Sequence, residues 1–168
     1  MPSKNEQAFS EDKSFAVIEH DVRYPTVLLV FPFSYLLVSC FHEVFLTRIL
    51  IADDRQLMRD ALKAIFALRP AWQVCGEASD GAEVVAMASQ LQPDLIILDF
   101  KMPLADGVRA ASEILMAMPS TPIVMYTLYK TEELESAAKL IGVRAVVGKE
   151  DGVRSLLRVV DAELATKN

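Results

Sequence analysis

The chain has 168 residues, 52% of them hydrophobic, which suits one domain with a substantial core and is short for two. Its net charge of −6 is shared evenly: residues 1–45 carry 3 basic and 6 acidic side chains, residues 46–168 carry 14 and 17. Neither part has a basic stripe, a helix-turn-helix or a zinc-finger segment, which excludes nonspecific nucleic-acid binding as the default role.

Residues 1–21 are polar with no periodic apolar face. TVLLVFPFSYLLVSCF (26–41) is strongly apolar, but Pro32 and Ser34 interrupt it and it ends at His42–Glu43. A spanning helix wants about 20 predominantly apolar residues. The residues before it are net acidic, unlike the basic opening of a signal peptide, and they give no positive-inside cue. Three readings of this extension stay open: a membrane anchor, an element packing on the domain, or a start placed too far upstream. The third rests on LTRILIADD, which reads as an ordinary domain opening with Leu46 in the initiator place. Intact mass of the protein expressed from its own gene separates it from the others. His20 and His42 are isolated, and Cys40 and Cys75 form no CxxC, so the histidines are assigned no chemistry and the cysteines are read as buried reduced thiols.

From Leu46 short apolar runs alternate with amphipathic stretches. LTRILIA (46–52) predicts a strand, and 55–68 a helix with Leu57, Met58, Ala61, Leu62, Ile65 and Phe66 at helical spacing, ended by Pro70. WQVCGEA (72–78) is a second strand. Asp80 with Glu83 predicts a capping box opening a helix through Leu91. LIIL (95–98) is a strand without alternation, as expected when both faces are buried. Helix 108–118, strand 122–126, a helix over 131–142 with Thr131 as its cap and Gly142 past its end, strand 144–147, and a last helix capped by Asp151 and running to about Ala165 complete the series. Five β–α units imply a parallel sheet with helices on both faces, and no output domain is expected within the residues that follow the last of them.

In such sheets ligand sites lie at the carboxyl ends of the strands. Strand one ends on Asp53 and Asp54, strand three on Asp99, strand four on Thr127 and strand five on Lys149. Three carboxylates near one point require a cation to stay ionised together, and hard oxygens of this kind suit Mg²⁺. A hydroxyl and an amine opposite suit a phosphoryl group. Blander readings compete: Asp99 as a turn cap, Thr127 as an N-cap or turn residue, Lys149 as a solvated surface lysine. Tyr126 and Tyr129 read as packing or rim residues, Met102–Pro103 as scaffold, and Gly107 as a residue permitting a turn conformation.

The DD pair after strand one, D-x-K-M-P-x-x-x-G from Asp99 to Gly107, the Thr after strand four and the Lys after strand five together resemble the receiver domain of two-component response regulators, over residues 46–165. The resemblance implies a flavodoxin-like (βα)5 doubly wound sheet of strand order 2-1-3-4-5, here with an extra N-terminal segment, so that 1–45 is an extension and 46–168 the receiver. It implies that Asp99 accepts a phosphoryl group from a phosphohistidine on a sensor histidine kinase or phosphotransfer protein. Asp54 would bind Mg²⁺ directly, Asp53 through water, and Asp99 and the Lys101 backbone carbonyl would also be ligands. Thr127 would hydrogen-bond the phosphoryl oxygen and Lys149 would pair with it. The location would be cytoplasmic, with membrane association only if 26–41 is an anchor. A downstream protein or a second copy would dock on the face built from 131–165, and no nucleic acid is expected to bind this chain.

Two positions depart from the family pattern. Val146 stands three residues before Lys149, where an aromatic ring is usual, so coupling is expected to run through the loop 127–131 and Tyr129. Lys101 stands at the rim, two residues past the phosphoacceptor, where it is expected to alter dephosphorylation. A stand-alone receiver is the leading reading. The alternative is the receiver of a DNA-binding regulator whose output domain lies outside this chain. An aspartyl-phosphate hydrolase of the haloacid dehalogenase type would need a second Asp where Lys101 stands. No G-x-G-x-x-G or Walker A motif is present.

Overall fold

A computed structural model describes residues 46–103 and 106–166; the extension 1–45, with the apolar run 26–41, lies outside the described residues. The elements alternate: β1 (Thr47–Ala52), α1 (Gln56–Phe66), β2 (Trp72–Ala78), α2 (Gly81–Leu91), β3 (Leu95–Leu98), α3 (Gly107–Ala117), β4 (Ile123–Thr127), α4 (Glu132–Ile141), β5 (Ala145–Gly148) and α5 (Val153–Ala165), with a 3-10 turn over Lys149–Asp151 before α5. All strands are parallel, in the order β2-β1-β3-β4-β5. The alternation of strand and helix gave the parallel sheet, and this order is the one the receiver resemblance implies.

The apolar residues of the central strands divide between the two faces. On one, Leu50, Ile96, Leu98 and Met125 pack beneath Val84, Ala88, Ala111, Ile114 and Leu134 of α2, α3 and α4. On the other, Ile49, Ile51, Ile97, Val124 and Val147 pack under Leu62 and Phe66 of α1 and Leu156 and Val160 of α5. Both faces of β1, β3 and β4 are covered, which is why LIIL shows no polar alternation. The register sets up the site: Ala52 pairs with Leu98, so β1 and β3 release their next residues, Asp53 and Asp99, side by side. The Asp99 N–H donates to the Ala52 carbonyl at 2.8 Å and the Asp53 N–H to Ala78 at 3.1 Å.

Several ends differ from the expectations. Helix α1 stops at Phe66, not residue 68, because after the Ala67 N–H makes a last helical bond to Lys63 the Leu68 and Arg69 N–H groups turn onto the Ile65 and Phe66 carbonyls, three residues back. Asp80 caps α2 by accepting the Ala82 and Glu83 N–H groups, but Glu83 reaches back to Ser79, bonding its N–H and hydroxyl, so the reciprocal half of the box is shifted by one residue. Asp151 does not cap α5. Its carboxylate turns back to accept the Gly148 N–H at 3.1 Å, and Gly152, at φ 76°, occupies the cap position. Thr131 and Gly142 bound α4 as expected: the Thr131 hydroxyl accepts the Leu134 N–H at 3.2 Å, and Gly142 adopts φ 99°. Among the described residues no helix is long and apolar enough to cross a membrane. Cys75 is a free, half-buried thiol, its pKa pushed up chiefly by burial.

Candidate functional site

The carboxyl ends of β1, β3 and β5 bring four charged groups together. Carboxylate oxygens of Asp53, Asp54 and Asp99 lie within 4.8 Å of one another. Asp53 is 2% exposed and Asp99 5%, whereas Asp54 is exposed. The Lys149 ammonium bridges the buried pair, 2.5 Å from Asp53 Oδ2 and 2.5 Å from Asp99 Oδ2, and its side chain is only 3% exposed. A solvated surface lysine is therefore the wrong description. Three carboxylates against one ammonium leave a net negative cluster of hard oxygens open to solvent on the Asp54 side, a donor set that fits Mg²⁺.

Each oxygen of Asp53 already has a donor: Oδ1 accepts the Arg55 N–H at 3.0 Å and Oδ2 the Lys149 ammonium. Asp99 Oδ1 faces the Lys101 N–H at 3.4 Å, at the long end of hydrogen bonding. A cleft of about 450 Å³ opens beside them, with Asp54, Asp99, Lys101, Leu128 and Tyr129 in its walls. At its rim the Lys101 ammonium sits 4.7 Å from the Tyr129 ring centroid. Tyr129 is half exposed, a rim residue as expected, while Tyr126 is buried in the core with its ring 6.0 Å from the Lys149 nitrogen. Burial, and then the negative charges of Asp53 and Asp151, push the Tyr126 phenol above its usual pKa.

Thr127 closes β4 and is fully buried; its hydroxyl accepts the Tyr129 N–H at 3.1 Å, so it does serve a turn. Met102 is buried in the core, and the Pro103 carbonyl accepts the Gly81 N–H at 3.4 Å, consistent with scaffold roles. Gly107 differs from expectation. Its φ is not positive; glycine is needed because a Cβ there would lie 2.2 Å from the Asp99 carbonyl oxygen and 2.8 Å from Phe100 Cα. Val146 is half-buried and packs against the core, so no aromatic ring projects from that position.

The residue that sequence reasoning missed is Arg59. Its guanidinium donates from Nη1 to the Asp53 carbonyl at 2.7 Å, and its side chain is 11% exposed. On a helical wheel it reads as a surface charge. The signal available was its place one turn into α1, since helical side chains lean toward the N-terminus, here toward the DD pair.

The sequence pattern of the response regulator receiver domain family matches residues 49–161. The transcriptional regulatory protein PdtaR of Mycobacterium tuberculosis is 36% identical over 114 residues, covering 68% of this chain and 55% of the relative. The uncharacterized transcriptional regulatory protein YxjL of Bacillus subtilis is 40% identical over 86 residues, covering 51% of this chain and 39% of the relative. The chain thus spans about half the length, or less, of these curated relatives. The crystal structure of a CheY-like response regulator receiver domain protein from Methanospirillum hungatei superposes with a TM-score of 0.68 at 25% identity, covering 72% of this chain and 95% of that one.

Proposed function

The chain belongs to the response regulator receiver domain family, and from that premise we propose that it is a phosphorylatable switch with Asp99 as phosphoacceptor. The observation that carries this reading is the convergence of the Asp53, Asp54 and Asp99 carboxylates with the buried Lys149 ammonium at the ends of three strands.

Asp99 Oδ1, the oxygen Lys149 does not hold, is the nucleophile. It attacks the phosphorus of a phosphohistidine on a sensor kinase or phosphotransfer protein, in line with the P–N bond. That bond breaks, and the imidazole leaves with the electron pair and takes a proton from solvent. Charge repulsion opposes approach of an anion to a carboxylate, so the residues act mainly by positioning and electrostatics. Lys149 offsets the negative charge and remains to pair with the phosphoryl oxygens. Thr127 keeps its own O–H as a donor to one of them. Asp54, Asp99 and the Lys101 carbonyl would hold Mg²⁺, which when bound supplies the remaining neutralisation; with both its oxygens already engaged, Asp53 would act through water. The added charge then biases the loop 127–131.

The chain modifies itself and turns over no separate substrate. A hydrolase of the dehalogenase type is disfavoured, because Lys101 stands where a second acid is needed and its ammonium lies over Tyr129. Docking of a downstream protein or a second copy fits the face built from 131–165, which includes a groove of about 360 Å³ between β5 and α5, walled by Lys130, Val146, Asp151, Arg158 and Val159.

Incubation with acetyl phosphate and Mg²⁺ is expected to add the mass of one phosphoryl group to the wild type and none to Asp99→Asn. An adduct of equal yield on Asp99→Asn overturns the assignment. A second reading, the receiver of a DNA-binding regulator, is favoured by relatives named as transcriptional regulators of which this chain covers 39% and 55%. A reading frame continuing past Asn168 into a DNA-binding segment supports it, and a stop codon there supports the stand-alone receiver.

A further inference from the structure

Arg59 is a largely covered cation, its Nε buried, whose partners are unusual. It makes no hydrogen bond to any site carboxylate. Nη1 donates to the Asp53 main-chain carbonyl at 2.7 Å, Nη2 bonds the Gln56 side chain, and Nε lies 3.5 Å from Glu77 Oε2 without a hydrogen bond of its own. Glu77, on β2, is held at its other oxygen by Lys63 at 2.8 Å. A guanidinium is not taken out of water without compensation, and here it comes from the Gln56 side chain, the Glu77 carboxylate and the Asp53 main-chain carbonyl, so that Arg59 fastens α1 and β2 to the peptide unit that joins Asp53 to Asp54. That segment is also tied by the Asp53 N–H to Ala78 and the Arg55 N–H to Asp53 Oδ1, at 3.1 and 3.0 Å. The Asp53–Asp54 peptide is thus fixed at its carbonyl by Arg59 alone among these bonds, and that peptide sets where the exposed Asp54 carboxylate points.

We propose that Arg59 is a positioning residue for divalent-cation binding, acting through the Asp53 carbonyl to aim Asp54 at the cluster. The proposal rests on the metal-dependent receiver reading above.

The sign of the effect separates positioning from charge. Deleting a cation beside an anionic site should tighten Mg²⁺ by Coulomb attraction alone. Loss of positioning should weaken it, by about 10-fold, the scale seen when groups that orient metal ligands are removed. The test is Mg²⁺ titration of the full chain followed by amide NMR shifts, on wild type, Arg59→Ala and Arg59→Lys, with the rise in melting midpoint against Mg²⁺ concentration as a second readout. Arg59→Ala is expected to bind about 10-fold more weakly, and Arg59→Lys, which keeps a donor able to reach the carbonyl, to recover most of that loss. Arg59→Ala that binds as tightly as wild type, or more tightly, overturns the proposal. If Arg59→Ala does not fold, Arg59→Lys decides through the same titration combined with Arg59→Gln, which keeps a donor without the charge: Gln tighter than Lys overturns positioning. Wild type that takes no Mg²⁺ fails the functional reading itself, a different result from wild type that binds while Arg59→Ala is unaffected.

Discussion

At the rim of the cleft, Lys101 and Tyr129 are held together by a cation–ring contact in the same wall that Asp99 lines. Such contacts are worth about 0.5–1 kcal/mol at exposed sites, which corresponds to about 2- to 5-fold in a rate. If the pair limits the approach of water to a phosphorylated Asp99, Lys101→Ala should shorten the phospho-Asp99 lifetime by about that factor, and Tyr129→Ala should do the same. Decay followed by intact mass after donor removal checks it; a lifetime unchanged in both variants rejects the idea. Gly107 acts on the same residue from beneath. A methyl group there meets Asp99 and Phe100 main chain, at 2.2 and 2.8 Å, and backbone cannot turn aside as a side chain can. Gly107→Ala should therefore lose about 1–3 kcal/mol of stability in urea unfolding, as overpacking does, and phosphorylate more slowly because the Asp99 turn has moved. The D-x-K-M-P-x-x-x-G run made Gly107 visible in the sequence, but its reason was not. A glycine needed for close approach and one needed for positive φ look alike as letters, and only the neighbouring backbone separates them.

Helix caps show what one-dimensional spacing can and cannot reach. Thr131 was legible because an N-cap bonds only three residues onward, and the Leu134 N–H it satisfies lies within that span. Thr131→Ala should cost about 1 kcal/mol in denaturant unfolding, the usual worth of such a cap. Asp151 was misread for the opposite reason: it sits before an apolar periodic run, but its carboxylate is drawn backward to the Gly148 N–H and sideways to the Lys130 ammonium at 3.3 Å. That contact comes from the loop after β4, twenty-one positions away in sequence, and no local pattern encodes it. The Gly148 N–H and then Lys130 hold the Asp151 carboxyl below the ordinary carboxylate range. A depressed folded value means that the tether's contribution is complete above the unfolded value of about 3.9 and is lost only as pH falls through the lower, folded one. The Gly148 amide shift followed through an acid titration should accordingly show a midpoint below that of Asp in an unfolded peptide. A midpoint at or above the unfolded value would remove Asp151 as the anchor of this turn.

Across the whole molecule, the site was readable because parallel topology puts every strand's last residue on one edge of the sheet, so four strand endings named five of the groups that matter. What strand order alone left open was which of those groups touch. Lys149 lies 96 positions from Asp53 and 50 from Asp99, yet its ammonium joins them, tying the edge strand β5 to the two central strands β1 and β3. An ion pair of this burial is weak as a source of stability but costly to break on one side, because the stranded carboxylates stay desolvated. Lys149→Met, which keeps the apolar stem and removes the ammonium, should then lose about 3–5 kcal/mol of unfolding free energy in EDTA. Two additions should return part of that loss by different routes. Asp53→Asn in the Lys149→Met background removes one of the stranded charges, and Mg²⁺ stabilises whichever folded form binds it, in proportion to the logarithm of its concentration above the dissociation constant. If Lys149→Met costs less than about 1 kcal/mol in EDTA, below the range for a broken buried pair, the lysine does not bind the strands together and its place in the site is chemical alone. A full loss that Asp53→Asn partly reverses would show that the charges assigned to the proposed phosphoryl site also hold the sheet edge together, so that changing one of them for function changes stability as well.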